Sequence, residues 1–546
     1  MRARARADAG AAERLMLDVK IEGATVLDGT GAQGGRTDVG VRDETIVAVG
    51  DLSREHAGTT LNASGKVLAP GFIDMHSHSD WRLLANRRAE SKVRQGVTTE
   101  VVGNCGFSPA PVTAQFRDDL RGFALYIPPG MDFAWPSFGD YLRSIDTGGT
   151  ALNVAHLVGH GTLRIAAMGF ARRPPTAEEL TTMQRLMGAA VNDGAWGLST
   201  GLIYAPGSYA TTEEIATIAR VAGHQGGFYA SHIRGEGATL IDAVTEAIAV
   251  GRDGRLPVQV SHIKAAGRPN WGKVERALGL IDAARAEGLD VTADVYPYTA
   301  SSTTLRTLLP DWALEGGVAA MLERLGDRDV RARIRKELEA PVTGQSLLDR
   351  IGWDNVMVSY CAKRKDAEGK RLSEIGAARG MDPLDAAIEL IVDEAGKAYM
   401  ILFQLDEADL RRALVHPHVM IGSDGSALAP YGPLGEGKPH PRSYGTFPRV
   451  LGEYAREQRV LSLPQAIYKM TGLPARRLRL RDRGVIRVGA KADLVVFDAR
   501  RVADVATYED PHRYPAGIEY VLVNGRFVIK HGEHTGSLPG RVLTPP

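Results

Sequence analysis

APGFIDMHSHSD, residues 69–80, is the stretch on which the reading of the whole chain turns. A Pro-Gly turn feeds a short apolar run, and the run ends on His76 and His78. In an extended strand the side chains at i and i+2 point the same way, so the two imidazoles share one face at the strand's end. That geometry suits a metal, although a lone HxH is equally compatible with a strand that ends in polar residues. Four later stretches also read as strands ending on ligand-type side chains: TTEVVGNC at Cys105, GGFYASH at His232, VQVSHIK at His262 and VMIGSDG at Asp424.

Working outward, these segments belong to a longer series. FIDMHSH, TTEVVGNC, NVAHLVGH, GLSTGL, GGFYASH, VQVSHIK, DVTADVYPY and VMIGSDG make eight strand candidates, most of them separated by helix-like text. Thr176 with Glu179, and Thr211 with Glu214, have capping-box spacing at the starts of two such helices. Strand then helix, repeated eight times, predicts a (β/α)8 TIM-like barrel whose chemistry sits at the carboxyl ends of the strands. About 120 residues separate the seventh and eighth strands where a βα unit needs roughly 30, so an insertion at about 299–365 is expected, placed to cover the site. Within it, 318–338 reads as helix and VMVSYC as an added strand ending on Cys361.

Both ends of the chain have a different texture. Residues 18–50 alternate short β-branched runs with Asp-Gly, Gly-Gly and Asp-Glu punctuation, and Asn524-Gly525 between two apolar runs signals a tight hairpin. Neither end has enough strands to bury a core alone, so the two are expected to pair into one small β-domain. The expected organisation is a disordered start at 1–17, β-domain at 18–68 and 481–546, and barrel at 69–480.

Composition narrows the function classes. With 546 residues, 44% hydrophobic, 24% charged and a net charge of +1, the chain reads as an ordinary globular protein with no field to attract nucleic acid or an anionic membrane. Its two cysteines supply no disulfide framework, and no apolar run is long enough to span a bilayer, so a cytoplasmic setting is expected. Self-association is left open.

Zinc prefers imidazole and thiolate and, at a hydrolytic site, keeps one position open for water. His76, His78, Cys105, His232 and His262 supply that mixture of donors. Asp424 is placed to join the metal site and move a proton, with a turn-forming role before Gly425 as the alternative. His160 ends the third strand and is expected to line the pocket. Lys264 and Arg442 are each candidates to pair with a substrate carboxylate, Arg442 having the shape for a bidentate contact.

FIDMHSHSD, GNCGFSPAP, GLSTGLIYAPG, ASHIRGEG, VSHIK, DVYPYTASSTTL, MIGSDG and HPRSYGTFPRVLG, in that order, resemble the N-acyl-D-amino-acid deacylases (D-aminoacylases) of the amidohydrolase superfamily. The resemblance implies a metallo-dependent hydrolase barrel in which Cys105, His232 and His262 hold the tighter zinc. His76 and His78 form a weaker second site with Cys105 able to bridge. Asp424 is then the general acid and base, and Tyr204, Lys264, Tyr296 and Arg442 bind substrate. The implied reaction is hydrolysis of an N-acyl-D-amino acid, a small-molecule partner, to a D-amino acid and a carboxylate. Two rival readings are a cyclic amide or imide hydrolase of the hydantoinase or dihydroorotase type, and a non-catalytic scaffold of the same fold.

Overall fold

A computed structural model of the protein describes residues 16–133, 135–340 and 352–546. Eight parallel strands form a barrel: β1 (Phe72–Asp74), β2 (Val97–Val102), β3 (Asn153–His156, continued by Val158–Gly159), β4 (Gly197–Gly201), β5 (Phe228–His232), β6 (Val258–Val260), β7 (Val291–Val295) and β8 (Val419–Ile421). Each pairs in parallel with the next. A single parallel bridge between Ser77 and Gly425 closes the ring from β1 to β8. Every residue of these strands is buried, because helices cover the outside and side chains fill the inside. The strands stop earlier than their sequence runs: β1 ends at Asp74, and His76 and His78 lie in the segment that follows.

The helix starts follow local chemistry. Thr176 and Glu179 make a full capping box at helix Ala177–Asn192. At helix Thr212–His224 the Thr211 hydroxyl accepts the Glu214 N–H, but the Glu214 carboxylate turns inward and accepts from His160 Nε2 at 3.0 Å and from Arg164. This corrects the expectation for His160. It is held in a buried ion-pair cluster and does not line the main cavity.

The expected disordered start lies outside the described residues except for Met16 and Leu17, and Leu17 already opens the strand Leu17–Val26. That strand belongs to a nine-stranded sheet built from both ends of the chain, joined where Val67–Pro70 pairs antiparallel with Leu494–Phe497. Residues 69–80 therefore straddle two units: Ala69 and Pro70 end a strand of this sheet, and Phe72 begins the barrel. Gly71 between them is obligatory, since a Cβ there would meet Thr98 Oγ1 at 2.2 Å. The predicted Asn524-Gly525 hairpin has φ of 47° and 74° at its two central residues, the mirror-image turn that matches strand twist.

Two features of chain organisation differ from the expectation. Val542–Leu543 leaves the β-domain and pairs in parallel with β3 at Val154 and Ala155. At Val154 and Ala155 β3 has no bond to β4, whose approach begins with the Trp196 N–H donating to the His156 carbonyl and pairs at Val158 and Gly159, so the tail covers backbone groups that burial would leave unpaired. The insertion also continues past 365. Its three-stranded antiparallel sheet has Tyr399–Leu402 in the centre, between Ser301–Thr304 and Val356–Tyr360. The stretch read as one helix at 318–338 is two, Gly317–Gly326 and Arg328–Glu339, because Asp327 breaks the first and its carboxylate caps the second. The insertion packs on the segment after β2 in a second core that joins Phe107, Leu120 and Phe123 to Leu305, Leu308 and Met400. Cys361 is buried in that core, one residue past the end of the strand Val356–Tyr360.

Candidate metal centre

Each candidate ligand sits at or just beyond the carboxyl end of its strand, where the chain turns out of the barrel. Cys105, His262 and Asp424 have φ of 53°, 36° and 49°, in the left-handed region that non-glycine residues avoid. Each such residue costs about 1–3 kcal/mol, and the surrounding structure imposes it. The turns swing all three side chains over the barrel mouth. His232 ends β5 in regular strand geometry.

The side chains converge. Cys105 Sγ lies 3.3 Å from His76 Nε2, 3.5 Å from His232 Nδ1 and 3.5 Å from His262 Nε2. Asp424 Oδ1 lies 3.0 Å from His78 Nε2 and 3.5 Å from His76 Nε2, and its Oδ2 is 2.8 Å from Arg442 Nη1. Ligand atoms of His76, Cys105, His262 and Asp424 all fall within 4.8 Å of one another, and so do those of His232, Glu236 and His262. A thiolate among imidazoles with an ionised carboxylate opposite is the donor set that zinc favours.

Electrostatics ionises the thiol and the carboxyl and keeps His232 neutral, while the same anions favour the protonated forms of His76 and His78. Burial opposes the Cys105 thiolate, but the imidazoles of His76 and His78 outweigh it and hold its pKa well below the usual thiol value. Burial likewise opposes charge on His76, yet Cys105 and Asp294 lift its pKa well above normal. His78 rises to about 9, against burial, through Cys105 and Asp424. The Asp424 carboxyl is held well below its ordinary range, because Arg442, His262 and His78 overcome its burial. Burial lowers His232, keeping the neutral imidazole that binds metal.

Two carboxylates not singled out in the sequence support this cluster. Glu236 Oε1 is 3.2 Å from His262 Nδ1, 3.5 Å from His232 Nε2 and also accepts from Lys264 Nζ. It thus lies on the side of each imidazole that points away from Cys105, where Lys264 Nζ also approaches His262 Nδ1 at 2.8 Å. Asp294 accepts from the His262 backbone N–H at 2.8 Å and lies 3.4 Å from His76 Nδ1. The only sequence signal for Glu236 was its place four residues after His232.

His78, His232, Glu236 and Asp424 of the cluster line a cavity of about 410 Å³ that is walled partly by the insertion, including Ser302, Thr303, Leu308 and Tyr360. Tyr204, Lys264, Tyr296 and Arg442 all line it. Lys264 Nζ and the Arg442 guanidinium lie over the Tyr296 ring at 5.7 and 4.8 Å, and the buried Tyr296 hydroxyl makes no well-aligned hydrogen bond among the described residues. Neither cation stands alone: Glu236 pairs with Lys264 and Asp424 with Arg442.

Residues 59–529 match the model of the amidohydrolase family. The chain belongs to that family. This amidohydrolase is 40% identical over 526 residues to a D-aminoacylase of Alcaligenes xylosoxydans xylosoxydans, covering 96% of the chain and 97% of that relative. A solved D-aminoacylase, described as having a binuclear metal center with one-metal activation and second-metal attenuation, superposes with a TM-score of 0.81 at 39% identity over 97% of this chain and all of that one. An N-acyl-D-glutamate deacylase from Bordetella bronchiseptica, solved with zinc and a phosphonate mimic of the tetrahedral intermediate, gives the same TM-score at 37% identity, with the same coverage. Among the described residues of this amidohydrolase, no helix is long and apolar enough to cross a membrane.

Proposed function

We propose that the protein is a zinc-dependent deacylase that hydrolyses N-acyl-D-amino acids to a D-amino acid and a carboxylate, and that it works in the cytoplasm. The observation that carries this reading is Cys105 Sγ within 3.5 Å of three imidazole nitrogens, with an ionised Asp424 in the same cluster. Both cysteines are free and buried, in keeping with a reducing compartment.

Cys105, His232 and His262 would hold the tighter zinc and His76 and His78, with Cys105, a weaker one. When bound, zinc supplies a Lewis acid that polarises an acyl oxygen and lowers the pKa of water. Asp424, held 3.0 Å from His78 Nε2, takes the proton of the attacking water on its carboxylate and returns it to the leaving nitrogen. The C–N bond breaks, the acyl carbon gains the water oxygen, and the amine leaves neutral. Lys264, Arg442 and the Tyr296 hydroxyl form one corner of the cavity, which receives the α-carboxylate, while Tyr204 packs against His232 at 5.1 Å between ring centroids. Glu236 keeps His232 and His262 oriented.

Chiral product analysis of the zinc-loaded protein on matched N-acetyl-D- and N-acetyl-L-amino acids tests the reading. Release of D-amino acids and acetate is the expected result. Ring opening of hydantoins or dihydropyrimidines without deacylation would transfer the protein to the cyclic amide hydrolases.

A further inference from the structure

Arg82 follows the HSHSD run, four residues past His78, on the single turn Arg82–Ala85, and it lines the same cavity as the candidate ligands. Its Nη1 donates to the His78 carbonyl at 3.3 Å, and its guanidinium lies 4.9 Å from the centre of the Tyr126 ring. Its Nε is buried with no hydrogen-bond partner among the described residues. Tyr126, Tyr360 and Tyr399 surround it. The carboxylate with most influence on it is Asp80, which accepts from the Gly103 N–H at 2.6 Å instead.

Charge accounting across the cavity isolates this side chain. Arg442 pairs with Asp424, Lys264 with Glu236, and the lining carboxylate Glu436 with Lys365 at 3.2 Å. Arg82 alone among the lining lysines and arginines forms no ion pair with a described carboxylate. Arg306, next to Tyr399 but outside the cavity lining, adds to the excess, since it is half-buried and among the described residues donates to the carbonyls of Gly122 and Phe123 and to no carboxylate. A half-buried guanidinium without a counter-charge carries part of the cost of leaving water, and a planar fork facing an open cavity is suited to an incoming carboxylate.

We propose that the substrate carries a second carboxylate, which Arg82 receives in a slot walled by Tyr126, Tyr360 and Tyr399. This rests on the deacylase reading and narrows it to N-acyl-D-amino acids with an anionic group at the end of the side chain or of the acyl chain. Arg82 is then a specificity-determining residue that takes no part in the proton transfers.

The test measures kcat/KM on two matched pairs: N-acetyl-D-glutamate against N-acetyl-D-glutamine, and N-succinyl-D-leucine against its ω-amide. The parent protein is expected to favour the dianionic member of one pair by about ten- to hundredfold. That pair identifies the source of the second carboxylate. In Arg82→Met the ratio for that pair is expected to fall to about one, and in Arg82→Lys to an intermediate value. Because each ratio compares two substrates on one preparation, yield and partial misfolding cancel. Turnover of the neutral members with no dianion preference in either pair would overturn the Arg82 assignment and leave the deacylase reading standing. A preference that survives in Arg82→Met would also overturn it. Turnover of none of the four compounds by the zinc-loaded parent would overturn both.

Discussion

Cys105 shows how a single side chain takes its character from its neighbours. A buried thiol in apolar surroundings has its pKa raised, as at Cys361, which burial pushes up to about 12. At Cys105 the same burial is overcome by His76 and His78, and the sulfur becomes a thiolate donor. Metal content should report this difference. Cys105→Ala is expected to lose both bound zinc and turnover, whereas His76→Ala should lose activity with one zinc retained, as read by metal analysis of dialysed protein. Stoichiometric zinc in an active Cys105→Ala protein would refute the ligand assignment. Arg442 shows the reverse dependence. Its shape makes it a candidate substrate anchor, and its ion pair with Asp424 makes it equally the group that keeps that carboxylate ionised.

At the level of elements, the barrel strands are short and buried, and the loops after them do the positioning. Left-handed backbone at Cys105, His262 and Asp424 aims three ligands inward from three different strand ends. The interior of an element can also carry a titration. His156 ends the first part of β3, packed edge-on to Tyr141 at 5.0 Å, with both ring nitrogens buried and unpartnered. Burial lowers its pKa to about 3. Between pH 6.5 and 3 the unfolded chain binds a proton here and the native state does not, so stability falls as pH is lowered through this window. Relative to His156→Leu, the parent is expected to lose about 2 kcal/mol between pH 7.5 and 5 in denaturant titrations. Equal losses in both proteins would show that His156 does not govern this limb.

On the scale of the whole molecule, the chain is tied together by its ends. Leu543 accepts the Trp196 indole N–H at 2.7 Å, the Arg541 carbonyl accepts the Val154 N–H at 3.0 Å, and the Arg541 side chain pairs with Glu44 of the β-domain. Deleting residues 541–546 leaves two buried donors of the barrel unpaired, at about 1–3 kcal/mol each. The expected outcome is a lower Tm for the entire protein in calorimetry, with Trp196→Phe showing a smaller drop. An unchanged Tm would mean that the tail only rests on the barrel. The insertion acts at the same scale, since it walls the cavity and shares a core with the segment after β2.

The eight strands, the β-domain drawn from both ends and most of the groups at the barrel mouth are legible in the amino-acid order alone. Those features are written in periodicity, in turn residues such as Asn524-Gly525 and in ligand-type residues recurring at strand ends, all of which are local signals. Tertiary structure alone decided the rest. Glu236 meets His262, and Asp294 meets His76, only because separate strand ends converge, and Glu214 serves His160 instead of its own helix cap. The pairing of Val542–Leu543 with β3 depends on an edge that β4 leaves open. The charge left over on Arg82 exists only after every other cavity cation has met its partner. Such facts are sums over residues far apart in the chain, and no local pattern records them.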